Sequence, residues 1–280
     1  MFLAGSLVLL SGFFHALWNV CTKKSFHKES FLFSTQVVSF AVFFPLFFRG
    51  IVAVDFTPKI SLLFLCSMLA HGFYFIILSR LYRVADLSQA YPIVRGTSLT
   101  IIPLFGVLVL EEHLSILGWL GIVIIIAGIF AISEIRLSRL NLKILVLALC
   151  VGVSVSVYVS IDRLALFHCD AVTLNQIATI GNILALLPFV LRERSKNLKF
   201  EWSKNYRMIL VGSFLAPVSY MIFLFALNMA PISTLAPMRE FGTVFGALIG
   251  VLFLKEPNGR NRIFSSITIT VGVILLSLQH

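Results

Sequence analysis

Tyr91-Pro92-Ile93-Val94-Arg95 and Pro237-Met238-Arg239 each set one arginine inside a stretch that otherwise reads as soluble in lipid, and the two arginines stand 144 positions apart. An arginine at the centre of a membrane helix costs about 2.5 to 3.5 kcal/mol on the insertion scale, so a chain carrying two needs a use for them. Around these stretches the 280-residue chain is 59% hydrophobic and 12% charged, with a mean hydropathy of +1.01. Soluble domains carry about 25% charge, so the composition is that of a polytopic membrane protein.

A ruler of about 20 mostly apolar residues predicts ten transmembrane helices. They run from Phe2 to Cys21, Phe31 to Phe48, Ile60 to Ser79, Leu87 to Leu110, Ile116 to Ser133, Leu142 to Ile161, Ala171 to Leu191, Met208 to Leu227, Ile232 to Leu254 and Ile263 to Leu278. The expected fold class is an all-α membrane protein. Its net charge of +10 lies in short connectors without a dense basic stripe, which argues against nucleic acid as a partner. The connectors after spans 1, 3, 5, 7 and 9, with Lys143 at the edge of span 6 counted in, hold 17 of the 22 Lys and Arg, and those after spans 2, 4, 6 and 8 hold 3. The positive-inside rule then puts the odd connectors in the cytoplasm and both termini outside. The opening Met1-Phe2-Leu3-Ala4 has no positive flank, so the first run is expected to be a retained helix. Cys21, Cys66, Cys150 and Cys169 lack metal spacing and read as small core residues, and no cofactor is expected.

Sliding the second half over the first at an offset of 144 aligns Arg95 with Arg239, Gly106 with Gly250, Glu112 with Glu256 and Gly128 with Gly272. It also aligns Val107, Leu108, Leu110 and Ser133 with Val251, Leu252, Leu254 and Ser277. Leu and Val matches are cheap in apolar sequence, whereas Arg, Gly and Glu matches are not. A five-helix unit has an odd number of crossings, so its second copy sits upside down. Two such inverted repeats, residues 1–134 and 142–280, are the architecture of alternating-access transporters.

The run Ala85-Asp86-Leu87-Ser88-Gln89-Ala90-Tyr91-Pro92, the ending Leu108-Val109-Leu110-Glu111-Glu112 and its echo Leu252-Phe253-Leu254-Lys255-Glu256 resemble the EamA repeat of the drug/metabolite transporter superfamily. His15-Ala16-Leu17-Trp18-Asn19 with Lys23 is similar to that family's first helix. The second repeat departs from the pattern at Glu256-Pro257-Asn258, which lacks the usual following Leu. The resemblance implies a secondary transporter in which helices 1, 3, 4, 6, 8 and 9 line a central cavity. It leaves the substrate open.

Arg95 lies eight residues into span 4, about 12 Å deep, and Arg239 seven into span 9, about 10.5 Å. In a hydrocarbon core of about 30 Å, both approach the midplane from opposite sides. Together they favour an anionic or zwitterionic substrate held by bidentate hydrogen bonds. The alternative is a structural pairing with Glu240, Glu111 or backbone carbonyls. In span 1, Ser11, His15, Trp18, Asn19 and Thr22 share one face; Trp18 and Asn19 suit a bound solute, or the face serves interhelical hydrogen bonds. His71 and Tyr74, Ser154 and Tyr158, and Pro217 and Tyr220 form further face pairs, and Tyr91 shares the face of Arg95. The substrate-binding set is therefore His15, Trp18, Asn19, His71, Tyr74, Tyr91, Arg95, Tyr158, Tyr220 and Arg239. His15, His71 and Glu240 are the candidates for proton coupling. Gly242, Gly246 and Gly250, and Gly121 with Gly128, read as close-packing faces. The Phe-rich second span reads as lipid-facing, and Arg192 to Arg207 as a charged cytoplasmic connector touching anionic lipid.

These readings converge on a secondary active transporter of a small polar metabolite, an amino acid or organic acid, with export favoured. The bilayer and a small-molecule substrate are its expected partners, with a proton or an exchanged metabolite for coupling. Monomer and homodimer stay open, and a bacterial inner (plasma) membrane is the expected location. A lipophilic-drug exporter is the alternative within transport, disfavoured by two midplane arginines and no carboxylate in span 1. From another class, a membrane-embedded enzyme acting on a lipid or phosphate ester would need a nucleophile or metal cluster. No HExxH, GxSxG or P-loop occurs, so the chain is expected not to be an enzyme.

Overall fold

Within lipid every backbone N–H and C=O must find a partner in its own segment or in a packed neighbour, so long apolar runs become helices. A computed structural model of the protein describes residues 1–84, 87–132, 141–192, 196–252 and 259–278, without the side chains of 23, 82, 83, 87–89, 250, 252 and 259. The regular elements among those residues are all helices: α1 (Phe2–Lys23), α2 (Lys28–Val52), α3 (Pro58–Val84), α4 (Leu87–Val109), α5 (Ile116–Ile132), α6 (Leu142–Ala165), α7 (Ala171–Arg192), α8 (Lys196–Leu227), α9 (Ile232–Met238), α10 (Phe241–Leu252) and α11 (Gly259–Ser277). Seven of these, α1 to α4 and α6 to α8, are long and apolar enough to cross a membrane, and α5 is a shorter apolar helix.

The expected ninth span is not one helix. It divides into α9 and α10 at Arg239 and Glu240. Pro237 lacks the N–H that would continue the ladder, and the chain tightens to i→i+3 bonds: Glu240 N–H to Pro237 O at 3.1 Å, Gly242 N–H to Arg239 O at 3.0 Å and Thr243 N–H to Glu240 O at 2.8 Å. Pro45, Pro92, Pro103, Pro188 and Pro217 lie inside helices that continue through them.

The most extensive helix pairings survive exchange of the two halves. Matching α1, α2, α3, α4 and α5 with α6, α7, α8, α9–α10 and α11, the contact of α1 with α8 corresponds to that of α6 with α3. Likewise α2 on α8 corresponds to α7 on α3, and α4 on α6 to α9 and α10 on α1; α2 on α7 and α5 on α11 correspond to themselves. Glycines permit two of the tightest crossings. A Cβ on Gly242 would lie 2.7 Å from the carbonyl oxygen of Gly12, and one on Gly121 would lie 2.7 Å from that of Gly272. The expected three-glycine face is thus used at Gly242 but not at Gly246, whose Cβ position has no neighbour within 4 Å. Gly250 lies outside the described side chains.

The charged connector after α7 is also more ordered than expected, since α8 begins at Lys196 and is interrupted at Asn205 by non-helical dihedrals. Lys196, Lys199 and Lys204 are exposed while Glu201 is 0% exposed. The Glu201 carboxylate accepts the N–H groups of Phe26 and His27 at 3.1 and 2.8 Å and the amide of Asn205 at 2.7 Å. The first part of α8 therefore caps the turn into α2 as well as carrying basic charge. Phe44 and Phe48 are exposed as expected, whereas Phe47 packs against the core. The departure noted at Glu256-Pro257-Asn258, like the Asp86 end of the repeat signature, lies outside the described residues.

Candidate functional site

The break between α9 and α10 places two charged side chains in the middle of the bundle. Glu240 turns toward α4, where its Oε1 accepts a hydrogen bond from Arg95 Nη1 at 3.0 Å. The side chains are 22% and 8% exposed for Arg95 and Glu240, so this is a mostly buried ion pair across the two halves. Tyr91, one turn before Arg95, lies under its guanidinium with the ring centre 5.3 Å away, and its hydroxyl meets Thr243 Oγ1 at 2.8 Å. Thr243 is in turn 3.5 Å from Glu240 Oε2. The pairing of Arg95 with Glu240 is the structural alternative weighed from the sequence.

Arg239 is held differently. Ser11 and Ser219 exchange reciprocal bonds between α1 and α8, each hydroxyl donating to the other's carbonyl at 2.7 and 2.8 Å. Arg239 Nε donates to Ser11 Oγ at 3.2 Å and Nη2 to Ser219 Oγ at 3.5 Å. Its guanidinium lies 4.5 Å from the ring centre of Phe223 and 5.4 Å from that of Tyr220. Among the described residues it forms no ion pair with a carboxylate. Cation–π contact and neutral hydroxyls therefore replace a counter-ion.

Beyond Tyr220 lies a carboxylate. Asp162 on α6 is 0% exposed and accepts from three side chains: Ser67 Oγ to Oδ1 at 2.6 Å, His71 Nε2 to Oδ2 at 2.8 Å, and the Tyr220 hydroxyl to the same Oδ2. With the carboxylate ionised, Nε2 is the protonated nitrogen of His71. The His71 ring is 4.1 Å from Tyr158, which stands 5.3 Å from Tyr74 and 6.3 Å from Tyr220, centre to centre. Four of the residues singled out from sequence thus form one cluster built from α3, α6 and α8.

The rest of the predicted set falls around these three centres. The His15 ring lies tilted against Trp18 with centres 5.4 Å apart, and both arginines lie within electrostatic range of His15, Tyr74 and Tyr158. Trp18 Nε1 is buried and has no hydrogen-bond partner among the described residues. Thr22 bonds back to the Trp18 carbonyl at 3.1 Å and so does not bridge helices, Ser154 bonds to Cys150 O in its own helix, and Asn19 is exposed. His15, Trp18, Tyr74, Tyr91, Arg95, Tyr158, Tyr220 and Arg239 are each only partly buried although they sit within spanning helices.

Asp162, Ser67, Ser219 and Thr243 were not anticipated. Asp162 falls one residue past the sequence-drawn end of span 6, at Ile161, and so read as a loop residue. Its signal was present: Ser154, Tyr158 and Asp162 follow at i, i+4 and i+8, extending a face already noticed.

A profile of the EamA-like transporter family matches residues 3–134 and again residues 142–278. The chain belongs to the EamA-like transporter family. The resemblance read from the Tyr91 and Glu112 stretches is correct, and the two matches show two EamA repeats in a membrane transporter. Twenty-six solved chains match this EamA protein. One, titled "Crystal structure of protein", is 16% identical with a TM-score of 0.72, over 99% of this chain and 96% of its own. At that identity the likeness speaks for the EamA fold alone. None of the curated proteins compared with the chain matches it.

Proposed function

We propose that the protein is a secondary active transporter of a small polar metabolite carrying at least one negative group, an amino acid or organic acid, with export as the favoured direction. The observation that carries this reading is Arg239, a cation at a helix break in mid-bundle that is held by hydroxyls and rings and, among the described residues, joined to no carboxylate. With no carboxylate in contact among the described residues, the Arg239 guanidinium keeps donors for a substrate carboxylate or phosphate placed between Ser11, Ser219 and Arg239, where the hydrogen bonds would be charge-assisted. The same residue counts against the lipophilic-drug alternative, and the transporter family counts against the lipid-modifying enzyme.

In this reading the protein spans an inner membrane ten times, with α9 and α10 together as one broken span and both termini outside. The two five-helix repeats, 1–134 and 142–280, lie inverted about the central site and rock around it. The exchange-invariant packing of the halves supports that arrangement. Arg95 and Glu240 tie the halves together in one state and part in the other, and His15, Trp18, Asn19, Tyr74, Tyr91, Tyr158 and Tyr220 form the walls.

Counterflow of labelled amino and organic acids into vesicles containing the pure protein tests the reading. Exchange of at least one acidic or zwitterionic solute is expected, weakened at least about tenfold in apparent affinity by Arg239→Ala, as for loss of a charge-assisted contact. Unchanged affinity in that variant would remove the site, and turnover of lipid without solute flux would favour the enzyme.

A further inference from the structure

We propose that Asp162 and His71 form the proton-binding site of this transporter and that one proton binds together with one unit of substrate negative charge at Arg239. The inference deepens the transport reading and rests on it for the solute, but it reverses the direction: a proton moving with the solute makes uptake, not export, the direction that an inward proton gradient drives. Its own basis is a balance of charge in the bundle interior. Arg95 and Glu240 cancel each other at 3.0 Å. Arg239 and the Asp162 carboxylate remain, linked through one side chain: the Tyr220 hydroxyl bonds Asp162 Oδ2 while its ring lies 5.4 Å from the Arg239 guanidinium. With no solute present, Arg239 and Asp162 sum to zero. An anion arriving alone at Arg239 would leave a net negative interior, which a low-dielectric site disfavours. A proton arriving with it restores zero.

The geometry gives that proton a place. The contact of His71 Nε2 with Asp162 Oδ2 at 2.8 Å holds one shared proton, donated by Nε2 when the carboxylate is ionised. A proton added at Nδ1 lets the Nε2 proton pass to Oδ2, leaving a neutral imidazole and a neutral carboxyl. Oδ2 then carries the proton and donates it back to Nε2, and as part of a neutral carboxyl it accepts the Tyr220 hydroxyl more weakly than the carboxylate did, so the hold on the ring beneath Arg239 is loosened. The groups facing the pair are Ser67 and Tyr74 from α3, Tyr220 from α8, Tyr158 on α6 itself and Cys169 just beyond it, with Arg95 of α4 and Arg239 within electrostatic range of Tyr158. None of these supplies a second carboxylate. Because the two binding events share one state, each strengthens the other by the same factor.

Two measurements test this. Infrared difference spectra of the protein in lipid vesicles, taken between acid and alkaline pH without solute, are expected to carry a carboxylic C=O band. Asp162→Asn should remove one component of the band, read as the difference between wild type and variant, and Glu240→Gln should leave that component; a band unchanged by Asp162→Asn overturns the proposal. In transport, the wild type should accumulate an acidic solute of the counterflow panel when a proton gradient is imposed. Its apparent affinity should fall by about tenfold per pH unit once the pair has lost its proton. Asp162→Asn, which mimics the protonated carboxyl, should still exchange solute but should neither accumulate it nor show that pH slope.

Accumulation by Asp162→Asn at the wild-type level sinks the proton site while the transporter stands. Absence of any wild-type flux sinks the transporter reading, and the infrared comparison still decides whether Asp162 binds a proton. Tyr220→Phe separates linkage from folding: it should keep the carboxyl band and flatten the pH slope severalfold, and a full slope would show that Tyr220 does not connect the two sites.

Discussion

Arg95 and Glu240, 145 positions apart in the chain and in different halves of it, meet at 3.0 Å in the centre of the bundle. Removing one partner of a mostly buried pair strands the other's charge, whereas replacing both removes the problem. Glu240→Gln is therefore expected to destabilise the protein by about 3 kcal/mol, at the low end of the range for buried pairs because Arg95 keeps some access to water. The double variant Arg95→Gln with Glu240→Gln should recover most of the loss. Thermal unfolding in detergent at fixed lipid content checks both, and a double variant as unstable as the single one would contradict this account.

Glu112 plays a part at the start of α9 that its place in the repeat did not reveal. Its two carboxylate oxygens accept the N–H groups of Ile232 and Ser233, each at 2.9 Å. Those donors have no partner within a helix that begins at Ile232, and a carboxylate there also faces the positive end of the helix. Glu112→Ala should cost about 1 to 2 kcal/mol and raise amide exchange at Ile232 and Ser233. Unaltered exchange at those two amides would show that Glu112 is not the cap.

The crossing of α1 and α10 at Gly12 and Gly242 leaves no room for a side chain. Gly242→Leu should cost about 1 to 3 kcal/mol or more through overpacking, while Gly246→Ala, at a position without neighbours, should be neutral within about 0.5 kcal/mol. Yield of monodisperse protein and the midpoint of thermal unfolding separate the two.

Cys169, in the link between α6 and α7, offers a pH-dependent reading of the same region. Burial, followed by the negative charges of Asp170 and Asp162, pushes its thiol up to about 12. Only the thiolate reacts, so labelling by a maleimide should be slow near neutrality and quicken by about tenfold per pH unit toward alkaline values. Asp162→Asn removes one of the two charges and should speed labelling at a given pH. Cys150, exposed on α6, serves as the comparison.

Much of the fold was legible because lipid imposes a single rule on the backbone, and nine of the expected spans correspond to single helices. The break at Arg239 was not legible, since Pro237 resembles the five prolines that their helices absorb. What differs is the tightened i→i+3 ladder that follows it, which depends on Gly12 admitting Gly242 from across the bundle. The two arginines were found by their cost, but the sequence could not say that Glu240 would neutralise one and leave the other. That choice is made by rotation about the break, which sends adjacent side chains to α4 and to the Ser11 and Ser219 pair. Asp162 was lost because span 6 was ended at Ile161, four residues before the end of α6, since an acidic residue near the end of an apolar run looks like the start of a loop.

The asymmetry between α4 and its counterpart has a thermodynamic consequence. A dimer of identical halves could trade the roles of its two copies at no change in free energy, so facing one side or the other would be degenerate. Here one copy carries Arg95 on an unbroken helix and the other carries Arg239 on a broken one. The degeneracy is lifted by the sequence itself. If the halves rock as proposed, the unloaded protein is therefore expected to rest in a preferred orientation even with the same solution on both sides.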